Sequence, residues 1–388
     1  MLLLSRLLLR QIAPPSFLGL ITWWLLITPG LALELRVAVQ QNLSQVKVAS
    51  STPANILDSN GRQIANLQVL QGTAVLSGSG VSLGRMSGSR LWIEPTQGGL
   101  VQVGERWYRG RLELIGTGKG LAAVNHIDLE AYLPSVVGKE MYPTWPLESL
   151  KAQAVAARTY ALYRRGRELR RGTSLFDLGD SVLFQAYPGV ATETASTITA
   201  VQATQGQVLT YNGQLIEAVF HSASGGHTEN SEQVWSGAVP YLRGVPDFDQ
   251  TAPVYQWTIQ LTATQLRQRI PGIGNILAFQ PTQVSPQGRI MQVQVIGDAG
   301  TRTMTGPQIR SALGLRSTLF TTQPELPLVA SQTNSRIPPS SFLISGRGSG
   351  HGLGMSQWGA LGMANQGYTY DQILTYYYQG VTISQMRN

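Results

Sequence analysis

The chain of 388 residues contains no cysteine. That excludes disulfides, thiolate nucleophiles and cysteine metal sites. Charge is sparse as well: charged residues make up 13% and hydrophobic ones 43%, the composition of a globular chain rather than a disordered tail. Lysine is nearly missing. Lys47, Lys119, Lys139 and Lys151 are the only four, and every other strong base is arginine. Histidine is equally scarce, with His126, His221, His227 and His351. The apolar run Phe17 to Thr28 is short for a membrane span. Arg6 and Arg10 precede it, Pro29-Gly30 breaks it, and Gly30-Leu31-Ala32 offers small residues for cleavage. Residues 1–32 therefore read as an export signal, either cleaved or kept as an anchor through residues 17–28. In both cases the rest of the chain is expected outside the cytoplasm, in the periplasm, in the cell wall or secreted.

What is present is a mixed α+β pattern. The formal net charge of +8 suits an acidic partner such as an anionic polymer, a membrane surface or nucleic acid. The one dense basic run, Arg164 to Arg171, reads as a solvated helix end. Residues 33–118 alternate in short apolar runs separated by Gly, Ser and Asn turns, so this part is β-rich. Residues 119–250 form the expected core. It holds a strand over Leu121 to Ile127, a short helix over Leu129 to Val137, and a main helix beginning near Pro146. Leu150, Ala154, Ala157 and Ala161 recur at helical spacing and line one buried face. Strands over Gln207 to Tyr211 and Leu215 to Phe220 are joined by Asn212-Gly213, a hairpin signal. Residues 251–340 read as an αβ insertion that ends in a Pro/Ser/Thr/Asn-rich linker, Thr321 to Ser341. Residues 341–388 form a C-terminal block ending in an amphipathic segment, Tyr370 to Tyr378.

Chemistry concentrates in three places. Glu140 sits in a Gly-Lys-Glu-Met turn just ahead of the main helix, where a lone acid beside a rigid element suits a general acid or base. Lys151, Gln153, Arg158 and Tyr160 are polar or part-polar groups on that otherwise short-side-chain helix. His221 and His227 lie in FHSASGGHTENSEQVW, and His351 in SGRGSGHGLGMSQWGALGMANQG. Glycine-dense polar loops of this kind bring backbone close to a ligand. His126, in an apolar strand, reads as structural. Three readings compete. The three loop histidines could bind zinc, although no helical His-x-x-x-His pair is present. Ser222, Ser224 or Ser356 could be a nucleophile, although none lies in a Gly-x-Ser-x-Gly elbow; the one match, Gly80 to Gly84, lies in the β-rich part and reads as a chance turn. The loops could instead line a groove for a sugar polymer, with Glu140 as the acid and Trp145, Trp235, Tyr241 and Trp358 as platforms for sugar faces.

Three blocks, 132–162, 220–247 and 346–380, resemble the stage II sporulation protein D family, also described as the amidase enhancer LytB family. The resemblance runs from about Leu35 onward, with the blocks in the same order. It implies an extracytoplasmic peptidoglycan lytic transglycosylase. Such an enzyme cleaves the β-1,4 bond between N-acetylmuramic acid and N-acetylglucosamine in peptide-stripped strands and leaves a 1,6-anhydro end. The family's catalytic glutamate maps onto Glu140. Matching motif positions implies that Lys151, Gln153, Arg158, Tyr160, His221, Ser224, His227, Trp235, Arg347, His351, Ser356 and Gln357 bind substrate. Implied partners are glycan strands and an N-acetylmuramoyl-L-alanine amidase, with no nucleic acid and no cofactor. A non-catalytic, glycan-binding enhancer of that amidase is the alternative. Some members carry zinc on an FDLC-like segment; here that segment is FDLGDSVLFQAYPG, and Gly179, Leu183 and Phe184 replace the ligands, so no metal is expected there. Apolar packing of Leu183 and Phe184 would hold the scaffold instead.

Overall fold

The N-terminal strands build two sheets over one core. The computed structural model describes residues 33–386 except 173, 181–184, 236 and 326–337. The export segment, and the packing of Leu183 and Phe184, lie outside the described residues. The first sheet has seven strands in the order Leu178–Gly179, Glu34–Leu43, Gly120–Asp128, Arg111–Thr117, Arg90–Pro95, Ala54–Leu57, Gln63–Leu67. The second has six, centred on Gln45–Ser50 and Gln71–Ser77. Alternate residues such as Leu35, Val37, Ile93, Leu112 and Leu114 point into the shared core with Val46, Val48 and Val81. His126 is structural, as expected: its ring nitrogens lie 3.2 Å from Glu34 and 2.9 Å from Glu113. The Gly80 to Gly84 match is a strand, Gly80–Leu83, and its turn.

Seven helices occur among the described residues: α1 (Leu129–Glu140), α2 (Leu147–Arg171), α3 (Ala195–Ala203), α4 (Ala263–Arg269), α5 (Gly306–Leu313), α6 (Gln357–Asn365) and α7 (Tyr370–Tyr377). None of them is long and apolar enough to cross a membrane. Asp128 caps α1 by accepting from the Glu130 and Ala131 amides. This helix runs three residues beyond the expected Val137. Glu140 is therefore its last residue and does not lie in a turn; the backbone turns extended at Met141, and Pro143 and Pro146 follow. Helix α2 starts directly after Pro146 and stops at Gly172, which adopts φ 70°. Its apolar stripe was expected to cover one face. Instead nearly every residue from Ser149 to Leu162 is buried, because α1, α3, α6, α7 and the strand Gln207–Tyr211 pack around it. Its alanines are what permit so many close neighbours. Its C-terminal arginines, Arg170 and Arg171, are exposed.

The Asn212-Gly213 turn forms, with φ 49° and 75°, but the second strand is only Gln214–Leu215. The chain leaves the hairpin because Phe220–His221 pairs elsewhere, in parallel with Met355–Ser356. Residues 256–347 carry a separate apolar core of Trp257, Leu266, Ile290, Val295, Ile309 and Phe342, among others. There the strand Ser341–Arg347 lies between Gln256–Thr262 and Phe320–Glu325. The insertion's sheet therefore extends past residue 340. The expected linker also begins later, since Phe320–Glu325 is a paired strand.

Among the described residues, Arg158 is the one cation sealed inside the helical layer. Its guanidinium holds the Glu130 carboxylate at 2.8 and 2.7 Å and donates to the carbonyls of Val201 and Gln207. This geometry ties α1, α2 and α3 together and leaves no face of Arg158 for a ligand, so its expected contact with substrate is not available. Removing one partner of such a buried pair costs about 3–5 kcal/mol. Arg158→Ala should lower unfolding free energy in urea by that amount; a loss under about 1 kcal/mol would mean that the pair does not anchor the layer.

Candidate active site

Glu140 ends α1 where that helix passes the turn Gly189–Thr192. Ser135 donates to the Gly189 carbonyl at 2.6 Å and Thr192 donates to the Ser135 carbonyl at 2.8 Å. Gly138 makes this approach possible, since a Cβ there would collide with the Thr192 carbonyl. Two donors meet the carboxylate. The Ala186 amide reaches Oε1 at 3.3 Å, and Gln357 Nε2 reaches Oε2 at 3.1 Å. Gln357 opens α6 immediately after Ser356, whose hydroxyl caps that helix by accepting from the Gly359 amide at 3.1 Å.

The same segment reaches the histidine loops. Ser356 is the register partner of His221, and the His221 and His351 rings lie tilted at 53° with centroids 5.2 Å apart. Glu140 and the two histidines are thus joined through one two-residue strand, Met355–Ser356. Met141, which follows Glu140, is buried, and Tyr142, Trp145 and Trp358, the last directly after Gln357, form an aromatic cluster. Trp145 and Trp358 lie 4.9 Å apart at 67°, and Tyr142 is 5.5 Å from Trp145. Trp145 and Trp358 were among the expected platforms. Tyr142, 62% exposed, was not, because a tyrosine between Met and Pro carries no periodic signal.

Burial raises the Glu140 carboxyl above its ordinary value of 4.5, while the Gln357 and Ala186 donors and the Lys139 charge oppose the shift. Its place at a helix C-terminus, the negative end of the dipole, acts in the same direction as burial. His221 and His351 are neutral. Burial, with neighbouring cationic charge, holds His221 well below its usual value and His351 down to about 4. His221 Nδ1 donates to the Leu353 carbonyl at 3.0 Å, and its Nε2 has no partner. His351 donates from Nε2 to the Phe220 carbonyl and accepts from the Leu353 amide at Nδ1. His227 turns to the Thr228 carbonyl. The three histidines do not converge on one point, and no metal-holding group of His, Asp or Glu occurs among the described residues. Ser224 donates to Asp247 at 2.5 Å, and among the described residues no hydrogen bond pairs its hydroxyl with a histidine.

The remaining expected contacts are distributed unevenly. Lys151 pairs with Glu148 at 2.7 Å and lies over the Tyr370 ring, clamping α2 to α7. Gln153 is fully buried with both amide atoms unpartnered. Tyr160 packs edge-on against Phe220. Trp235 is partly exposed, 6.5 Å from His351, and Arg347 lines a separate hollow with Gly226, His227 and Tyr255. Sequence reasoning missed the buried acids Asp247 and Asp249. Tyr377 donates to Asp247, and the Gly225 and Gly226 amides donate to Asp249, whose carboxyl is pushed up to about 6 by burial and by Asp247. Both lie inside and brace the glycine loop.

The balance at Glu140 is open to test. In carboxyl NMR with labelled glutamate, Glu140 should titrate above 4.5, and Gln357→Leu should move it higher still by removing a donor to the charged form. Because the folded value is raised, this group's contribution to stability is present at low pH and fades as pH rises through the folded value. Glu140→Gln should abolish that decline. A downward shift in Gln357→Leu would show that the hydrogen bond does not tune the acid.

Residues 117–211, which include Glu140, match a family model described as Stage II sporulation protein. Residues 241–354 match a domain of unknown function. The chain is 36% identical over 282 residues to stage II sporulation protein D of Bacillus subtilis (strain 168), covering 68% of this chain and 76% of that protein. It is 33% identical over 294 residues to an uncharacterized protein of Brachyspira hyodysenteriae, covering 74% and 75%. Identity to a Bacillus subtilis protein named amidase enhancer is 31% over 294 residues, covering 65% of this chain and 40% of that longer protein. The shared length and the match around Glu140 together place this chain in the stage II sporulation protein D family.

Proposed function

We propose that the chain is an exported lytic transglycosylase acting on peptide-stripped peptidoglycan glycan, with Glu140 as its single acid and base. The observation that carries this reading is the placement of Glu140: a part-buried carboxyl of raised affinity for its proton, held by Gln357 beside an open aromatic wall. Hydrolytic glycosidases generally use two carboxyl groups. Ring closure by the sugar's own C6 hydroxyl needs no activated water. One glutamate can protonate the leaving oxygen and then receive the hydroxyl proton. Tyr142, Trp145 and Trp358 supply faces on which pyranose rings can stack. His221 and His351, both neutral, serve to shape the groove and carry no catalytic proton. The relative named amidase enhancer supports a second reading, in which the same groove binds glycan and recruits an amidase without cutting.

Incubation of the purified protein with peptide-free glycan strands should release anhydro-muramyl products, read by mass spectrometry. Glu140→Gln should reduce the rate at least about 1,000-fold while leaving glycan binding intact. Binding without products in the wild type would decide for the second reading. Trp358→Ala should weaken binding about tenfold, the scale of one lost stacking contact.

A further inference from the structure

A cleft of about 330 Å³ lies between the insertion and the core loops, lined by Trp235 and His351 on one side and by Arg289, Gln292, Thr305 and Arg310 on the other. Arg310, on α5, is half-buried. Its Nε donates to the Leu315 carbonyl at 3.3 Å, and no carboxylate pairs with it among the described residues. Arg289 is fully buried behind it. Its Nη2 donates to the Ser224 carbonyl at 2.5 Å, while Nε and Nη1 have no hydrogen-bond partner. Of the acids that act on its charge, Glu229, Asp249 and Asp247, Glu229 stands 3.8 Å from Nε and is already bonded to Ser285, while Asp249 and Asp247 are engaged by the glycine loop and Tyr377. Gly352 packs directly under the guanidinium, where a Cβ would come within 2.6 Å of it.

Buried donors without partners are rare, and each calls for an acceptor. A guanidinium fork matches a carboxylate better than any neutral group. Trp235 adds an aromatic face beside this charge, a combination that suits a sugar bearing an acid. The cleft also adjoins the groove, through the chain of contacts from Glu140 to Gln357, from Ser356 to His221, and from His221 to His351.

We propose that this cleft is a carboxylate subsite, in which Arg310, backed by Arg289, recognises the lactyl carboxylate that a muramic acid residue exposes once its stem peptide is removed. This rests on the glycan reading above. With the peptide in place the same carbon is a neutral amide carrying added bulk, so Arg310 becomes the residue that selects stripped strands. The reading gives the insertion a role in specificity and leaves proton transfer to the core.

The test uses the full-length protein with Glu140→Gln, so that bound glycan is not consumed, and two probes by calorimetry: a peptide-free glycan oligosaccharide, and the same oligosaccharide with its lactyl carboxyls converted to methylamides. The free acid should bind about tenfold tighter, the scale of one charge-assisted contact. Adding Arg310→Gln should erase that preference without changing affinity for the amide, and Arg310→Lys should restore part of it. Equal binding of both probes, or equal weakening of both by Arg310→Gln, overturns the subsite alone. Failure of both probes to bind overturns the glycan reading and the subsite with it.

Discussion

Small side chains on α2 are the constraint on which the rest of the structure depends. A helix can be enclosed by four other helices and a strand only if its surface lets their backbones approach, and the run Ala152, Ala154, Ala156, Ala157, Ala161 does this. Such a layer has little room for charge. Arg158 is tolerated because Glu130 and two carbonyls satisfy it, and that demand fixes how α1 lies against α2. The rotation and height of α1 then decide where its last residue falls. Glu140 thus owes its position to an ion pair inside the layer, two helical turns and more from the carboxyl itself.

The electrostatics of Glu140 are a contest between nearby effects of opposite sign. Desolvation and the helix C-terminus favour the neutral acid. The Ala186 and Gln357 donors, one to each oxygen, favour the carboxylate. In the proposed role, where the group gives a proton and takes it back, such a balance is an advantage, since neither form is held far below the other. A lysine amine in direct contact would end the balance in favour of the charge. Lys151 is kept away from that role by Glu148 and Tyr370, and Lys139 acts on the acid only through its charge.

Local pattern carried much of this fold. The strand Ile290–Gly297, the helix Gly306–Leu313 and the start of α2 follow from alternation, a Thr cap with Pro in the first turn, and Pro146. What sequence could not carry was non-local. Leu215 to Phe220 has the composition of one strand, but its end pairs with Met355–Ser356, more than 130 residues away, and the hairpin is cut short. Arg158 resembles a surface-capable residue on a polar stripe until Glu130 and the carbonyl of Val201 are seen around it. Gln357 was legible as part of a polar loop, but its contact with Glu140 spans 217 positions and no spacing rule reaches that far. No motif or spacing marks Asp247 and Asp249, and only the fold reveals that they hold the Gly225 and Gly226 turn from within.

The glycine loops show why two distant motifs behave as one site. Gly225, Gly348 and Gly350 each lie where a Cβ would strike the opposite loop, and all three adopt positive φ. The loop that follows Phe220–His221 and the loop that precedes Met355–Ser356 are consequently interlocked at backbone distance. Gln357, the donor on Glu140, follows directly on that interlock. The insertion holds the same assembly from outside, through Arg289 on the Ser224 carbonyl and against Gly352.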